Sequence, residues 1–453
     1  MAERDDPASL RRIPSMDSLL SEPVLVKIVE TWGREPVKEA IRNYLDALRA
    51  AGHARAFSLE KLTLAIVSSL DTSMRTTLRR VINASGIIIH TNLGRSPVAA
   101  ASWDSGRELV TGYSNLELDL ETGGRGKRHL HVSELAAKLF GCDAALLVNN
   151  NAAAVLLLLS AIAAGKEVIV SRGELVEIGG AFRVPDVIQQ GGAKLREVGT
   201  TNRTRAADFE AAIGRRTGAI LSVHQSNFQI VGFTEEPEMR ELARIARAKK
   251  VPWVVDEGSG RVVDLARYGF RRQPTVRELL AAGADVVTCS TDKLVGASQG
   301  GLILGRRDLL ERCATHPLMR AIRPGKESFA LVGDALAAFL AERHEDRIPI
   351  YRQLSTSLDA LRQRAERIAA ATGAKVVSSD AALGGGTTPA ESIASIAISP
   401  DGEASRMQRA LLERKLPIIS RINGDRLLLD LRTVQPDEDS EVAEAISELR
   451  IKS

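Results

Sequence analysis

Two rhythms of apolar residues divide the chain. In "EPVKEAIRNYLDALRAA" the residues Val37, Ile41, Leu45 and Leu48 recur at helical spacing and form one stripe. Pro36 suits the first turn of that helix. "SLEKLTLAIVSSLD" predicts a second helix ending near Asp71. Residues 16–75 therefore predict a small helical unit, after a disordered or extended start over 1–15. From residue 80 the rhythm changes to short β-branched runs separated by longer helical segments: "AALLVNN", "EVIVSRG", "KLREVG", "AILSVHQSN", "VPWVVDEGSG" and "ADVVTCST". Such βαβα alternation predicts an α/β fold, a mostly parallel sheet with helices on both faces, and a ligand site beyond the carboxyl ends of the strands. The run "AAAVLLLLSAIAA" (152–164) is too short to span a membrane and reads as a buried helix. A helical stretch over 334–371 is interrupted near "RIPI". The loop "GGGTTPAES", the strand-like "SIASIAIS", a helix over 402–415 and the strand-like "DRLLLDLRTV" complete a smaller α/β unit. The predicted domains are 1–75, 76–335 and 336–453.

Composition narrows the class. Of 453 residues 44% are hydrophobic and 26% charged, enough for a sizeable core in a soluble globular protein. The formal net charge of +4 permits a polyanionic partner without demanding one. The first 80 residues hold 13 Lys/Arg against 11 Asp/Glu, so no basic tail is concentrated there. The three cysteines show no metal-ligand spacing, and the polar opening "MAERDDPASLRRIPS" has no apolar signal core; both fit a reduced, cytoplasmic setting.

The candidate chemistry gathers at strand ends. In "VVTCSTDKLVGASQGGLILG" a lysine, Lys293, follows an apolar strand and precedes small residues. Partial desolvation lowers the pKa of such an amine, and the small residues leave room for a flat cofactor. A snorkelling surface lysine is the alternative. Asp256 ends "VPWVVD", 37 residues earlier (293 − 256), about one strand-helix-strand unit. Adjacent strands would bring acid and amine to one edge, as pyridoxal 5′-phosphate requires: an amine for covalent attachment and a carboxylate for the pyridinium nitrogen. In "VNNNAAAVLL" Asn149, Asn150 and Asn151 close a strand and open a helix, where backbone amides bind phosphate; which of the three touches it is left open. Arg95, Arg125, Arg128, Arg320 and Arg323 supply cations, and a helix would show Arg320 and Arg323 on one face, suited to a tetrahedral oxyanion. His129 and His131 lack a third metal ligand nearby, so no metal is expected. No GxGxxG follows a strand, which removes support for a nicotinamide site.

The chain resembles bacterial selenocysteine synthase, the L-seryl-tRNA(Sec) selenium transferase family of fold-type I enzymes dependent on pyridoxal phosphate. The resemblance runs through "RRIPSMDSLL", "VINASGIIIHTNLGRSP", "YSNLELDLETGGRGKR", "VNNNAAAVLL", "VIVSRGELVEIGGAFRVPDV", "EVGTTNRT", "GFTEE", "STDKLVGASQGGLILGRR" and "DRLLLDLRTV". It implies conversion of seryl-tRNA(Sec) to selenocysteyl-tRNA(Sec), by β-elimination to aminoacrylyl-tRNA and addition of selenium from selenophosphate. It makes Lys293 the cofactor-bonding lysine and Asp292 a catalytic aspartate. Arg95, Arg128, Arg320 and Arg323 become the selenophosphate site, and Ser290, ahead of the Asp-Lys pair, joins the candidate cofactor-binding residues. It also implies tRNA binding by the helical front and a homo-oligomeric ring of dimers, a decamer, without membrane association. The chain departs from the family pattern at Ser290-Thr291, at "GASQGG", and at Pro324-Gly325 after Arg323. A lyase or transferase of the same fold acting on a small amino acid or amino sugar is the alternative function.

Overall fold

The structure, a computed structural model, describes residues 14–50, 57–74, 77–178, 182–388 and 391–451. Two compact units divide the chain at residues 80 and 81.

The first unit contains α1 (Met16–Leu20), α2 (Pro23–Trp32), α3 (Arg34–Ala50) and α4 (Leu59–Met74). Ser15 caps α1 by accepting from the Ser18 amide, and Gly33, at φ 86°, ends α2. Val37, Ile41 and Leu45 are buried as their stripe predicts, and they pack with Leu19, Leu25, Leu62 and Ile66 into a core of their own. Leu48 is only half-buried. Helix α3 begins two residues before Pro36, which still lies in the first turn, where its missing N–H costs nothing.

The second unit is built on a seven-stranded sheet: β1 (Ala144–Val148), β2 (Glu167–Ser171), β3 (Lys194–Val198), β4 (Thr217–Val223), β5 (Trp253–Gly258), β6 (Val286–Ser290) and β7 (Gly301–Gly305). Their spatial order is β1-β7-β6-β5-β4-β2-β3, all parallel except β7, which runs antiparallel between β1 and β6. Alternate residues feed two cores. Ile169, Ile220, Trp253, Val255, Val287 and Leu302 face a layer that includes α5 (Leu130–Phe140) and α7 (Lys326–Leu340). Val168, Val170, Leu221, Val254 and Val286 face α6 (Asn151–Ala163), whose leucines Leu157, Leu158 and Leu159 are fully buried. Each such side chain contributes roughly 1.5–3 kcal/mol of burial. The continuous apolar runs reflect a sheet covered on both sides.

A second sheet, β8 (Lys375–Ala382), β9 (Ser392–Ser399), β10 (Arg421–Asn423) and β11 (Arg426–Asp430), is antiparallel in the order β8-β9-β11-β10. Its core is shared with α8 (Leu358–Thr372), α9 (Ala404–Glu413) and α10 (Asp439–Ile451). Ile82 and Ala84 lie in that core too, and Ile82–Asn83 pairs in parallel with Ile418–Ile419. The segment that opens the expected 76–335 domain thus packs with the carboxyl-terminal layer, and α7 runs through the expected boundary at 335. The stretch expected to be helical over 334–371 is divided into α7, His344–Arg347, Pro349–Ser355 and α8. Strands β7 and β8 have no counterpart in the sequence expectations.

Candidate active site

Strands β5 and β6 pair in parallel with Asp256 opposite Thr288, so both chains leave the sheet at the same carboxyl edge. Three residues past β6 stands Lys293, 7% exposed. Its backbone is fixed on several sides: the Leu294 amide donates to Ser259 O (2.9 Å), Tyr351 Oη to Leu294 O (2.7 Å) and Ser96 Oγ to Lys293 O (2.5 Å). Its ammonium donates to Gly386 O at 3.1 Å. Burial lowers the basicity of the amine, and the Arg95 cation lowers it further; Asp256, Glu257 and Asp292 oppose the shift without reversing it.

Asp256 is 5% exposed. Its Oδ1 accepts from Asn151 Nδ2 (2.8 Å) and Thr288 Oγ1 (3.1 Å). Burial pushes this carboxyl up, against those two hydrogen bonds and the Lys293 charge. Its Oδ2 has no hydrogen-bond partner among the described residues.

The three asparagines divide their work. Asn150 is the N-cap of α6, its Oδ1 accepting from the Ala153 amide (2.8 Å). Asn151 holds Asp256, and its own Oδ1 is buried without a partner. Asn149 is exposed, and its amide donates to Ile322 O (3.0 Å), which pins the Arg320–Arg323 segment beside the start of α6. The first amides of α6, on Asn151 and Ala152, have no backbone acceptor among the described residues, as a helix start dictates. Ser290 is buried at the end of β6. β7 returns close against this start: a Cβ on Gly301 would stand 2.2 Å from Asn150 O, so only glycine fits.

The arginines differ in their partners. Arg95, itself at φ 65°, donates through Nη1 to Asp292 Oδ2 (2.7 Å), while Asp292 Oδ1 is buried and unpartnered. Arg128 and Arg323 both reach Glu117 instead, with Arg125 nearby. Arg320 is exposed and forms no ion pair among the described residues. The helix expected to carry Arg320 and Arg323 on one face spans only Leu318–Ala321; Arg323 lies beyond its end, ahead of Pro324, which disfavours continued helix. His131 pairs through its ring with Leu116 O (3.1 Å) and meets Phe329 edge-on, so it serves packing.

The glycine loop after β8 covers the lysine. Gly386 donates its amide to Ser226 O (3.0 Å), and His224 Nε2 lies 3.1 Å from Thr387 O. Gly386 sits at φ 84°, and a Cβ there would come within 2.7 Å of Lys293 Nζ. Gly386→Ala is expected to cost about 1 kcal/mol in denaturant unfolding from its left-handed backbone and to slow cofactor uptake by displacing the amine.

Three observations fit the set to pyridoxal phosphate: a buried amine of lowered basicity, a buried carboxyl with one free oxygen on the neighbouring strand, and a helix start with unsatisfied amides. The charges around the amine give a signed expectation. Uptake of pyridoxal phosphate by the apoprotein needs the unprotonated amine, so its rate rises as pH passes the Lys293 pKa. Arg95→Gln removes a cation and moves that rise to higher pH; Asp292→Asn removes an anion and moves it to lower pH. The pH–rate profile of uptake checks both directions.

Thr288, Ser96, Gly386 and Glu117 were not singled out by the sequence. Thr288 is two residues before Ser290 and opposite Asp256, a register visible only once the strands are paired. Gly386 lies in a glycine run that reads as an ordinary loop.

Comparison with known proteins follows the same outline. The family model "L-seryl-tRNA selenium transferase" matches residues 81–435, and "Selenocysteine synthase N terminal" matches residues 10–49. The L-seryl-tRNA(Sec) selenium transferase of Geobacter sulfurreducens is 45% identical, covering 97% of this chain and 98% of the relative. That of Hyphomonas neptunium is 41% identical over 98% and 99% of the two chains. Among solved structures, D-glucosaminate-6-phosphate ammonia-lyase superposes with a TM-score of 0.61 at 22% identity, covering 83% of this chain and 96% of the other. That last likeness is one of fold, the α/β architecture expected from the sequence.

Proposed function

The chain belongs to the L-seryl-tRNA selenium transferase family, and we propose on that footing that it converts seryl-tRNA(Sec) to selenocysteyl-tRNA(Sec), with pyridoxal 5′-phosphate as cofactor and selenophosphate as selenium donor. One observation carries the reading at the level of the site: the Lys293 amine and the Asp256 carboxyl stand at the ends of adjacent strands, in a chain that matches its relatives over nearly its whole length.

Pyridoxal phosphate, when bound, supplies the electron sink that acidifies the seryl α-carbon. Around it this chain's residues do the rest. Lys293 holds the cofactor and, as a free amine of lowered basicity, takes the α-proton. Asp256 would keep a proton on the ring nitrogen, and Asn151 and Thr288 hold that carboxyl in place through Oδ1. The start of α6, through one or more of Asn149, Asn150 and Asn151, and the end of β6, with Ser290, would hold the cofactor's phosphate end. Asp292, held by Arg95 through Oδ2, keeps Oδ1 free beside Lys293 to handle a proton as the seryl hydroxyl leaves. Arg95, Arg128, Arg320 and Arg323 orient the donor's phosphate so that selenium reaches the β-carbon.

The reading places tRNA binding in residues 1–75, whose near balance of charge favours recognition of RNA shape over bulk phosphate attraction, and it implies a homo-oligomeric ring of dimers working in the cytoplasm. No helix among the described residues is long and apolar enough to cross a membrane. The fold is equally compatible with a lyase for a small amino acid or amino sugar, but the near-full-length relatives favour the aminoacyl-tRNA substrate. Incubation with pyridoxal phosphate, seryl-tRNA(Sec) and selenophosphate is expected to place selenium on the tRNA. Turnover of a free amino acid or amino sugar with no selenium on the tRNA would contradict the proposal.

A further inference from the structure

Between Arg128 and the Arg323 segment after β7 lies an acid, Glu117, that the proposed mechanism does not use. Glu117 begins a tight hairpin: the Gly126 amide returns to Glu117 O (3.0 Å), the Asp119 amide to Gly124 O (3.0 Å), and Asp119 Oδ1 accepts from the Glu121 and Thr122 amides. The turn brings Arg128 back over Glu117, whose Oε1 accepts from Arg128 Nε at 2.6 Å. The same oxygen accepts from Arg323 Nη1 at 3.1 Å, from 206 residues further along the chain. Arg125 Nη2 stands 3.6 Å from Oε2. Arg128 Nη1 also reaches Pro324 O at 3.4 Å, which ties the hairpin to the Arg323 segment a second time. The Arg128 hydrogen bond, with the surrounding arginine charges, holds the Glu117 carboxyl below the usual carboxylate range.

We propose that Glu117 is a positioning residue for the donor-binding arginines: its carboxylate holds the Arg128 and Arg323 guanidinium groups side by side, ready to grip a tetrahedral oxyanion. The inference rests on the reading of those arginines as the donor site. Two cations sharing one small region repel each other, and a carboxylate between them offsets that repulsion. Neither fork is spent. Arg128 Nη2, and Arg323 Nε and Nη2, have no partner among the described residues and remain available as donors to a phosphate oxygen. A preorganised pair binds an anion without first having to order two long side chains.

The test uses the cofactor-loaded full chain, with inorganic phosphate as probe and selenophosphate as donor. Glu117→Ala is expected to weaken phosphate binding about tenfold and to raise the donor KM by about as much, with kcat changed less than about twofold. Glu117→Gln, which keeps an acceptor oxygen, is expected to recover part of the loss. Unchanged visible absorbance of the bound cofactor certifies the fold, and if the alanine variant loses it, the glutamine variant carries the test against the parent. Tighter phosphate binding in these variants would mean that Glu117 competes for the anion seat, and unchanged binding that it is only structural; either overturns the inference. Arg128→Ala and Arg323→Ala run in parallel. If these leave phosphate affinity unchanged, the donor-site reading falls and this inference with it; if they weaken it while the Glu117 variants do not, this inference falls alone.

Discussion

Replacing Lys293 by alanine is expected to remove the visible absorbance of the cofactor-bound protein and to lower turnover by about 10⁴-fold, the upper end of what a positioned acid–base group contributes. The size follows from the site. Lys293 is 7% exposed, its basicity is lowered by burial and by Arg95, and among the described residues it is the amine placed over the same strand edge as Asp256. Removing it takes away both the covalent anchor and the proton acceptor. Arginine in its place would not rescue, since its guanidinium stays protonated. A variant that kept both absorbance and turnover would show that another amine does this work.

Asp256→Asn is expected to lower kcat by about 10²–10³-fold, the range for removing one preorganised electrostatic group, while cofactor content changes little. The amide fills the same volume and can still accept from Asn151 Nδ2 and Thr288 Oγ1, so the strand ends keep their geometry. What is lost is the charge that holds a proton on the ring nitrogen. The cofactor's absorbance should therefore persist with a changed response to pH, alongside slow turnover measured with seryl-tRNA(Sec). Full activity would mean that the Asp256 carboxyl does not face the ring.

The apolar rhythm made much of this legible. The runs ending in Val148, Ser171, Val198, Val223, Gly258 and Ser290 are strands, and the 37-residue spacing from Asp256 to Lys293 does correspond to neighbouring strands. β7 is hard to read from sequence because "GLILG" is short, bounded by glycines and inserted antiparallel between strands distant in sequence. β8 is masked in the sequence because "KVVSSDAA" is half polar, being a strand at the edge of its sheet. The helix start at Asn150 was visible as a cap, but the use of Asn151 to brace Asp256 was not, since the two are 105 residues apart and meet only when β1 and β5 are folded into one sheet. The shared helix face expected for Arg320 and Arg323 is absent for a local reason: the helix stops at Ala321, Pro324 disfavours helix at the residue before it, and Glu117 holds Arg323. Gly386 belongs to the same class of tertiary information, because its need for glycine arises from Lys293, 93 residues earlier.

The most direct measurement is to load the protein with pyridoxal phosphate, fix the linkage by borohydride reduction, digest, and map the modified residue by mass spectrometry. The account predicts one labelled lysine, Lys293, with labelling lost in Lys293→Ala. Label on a different lysine, or a protein that takes up no cofactor, would contradict it.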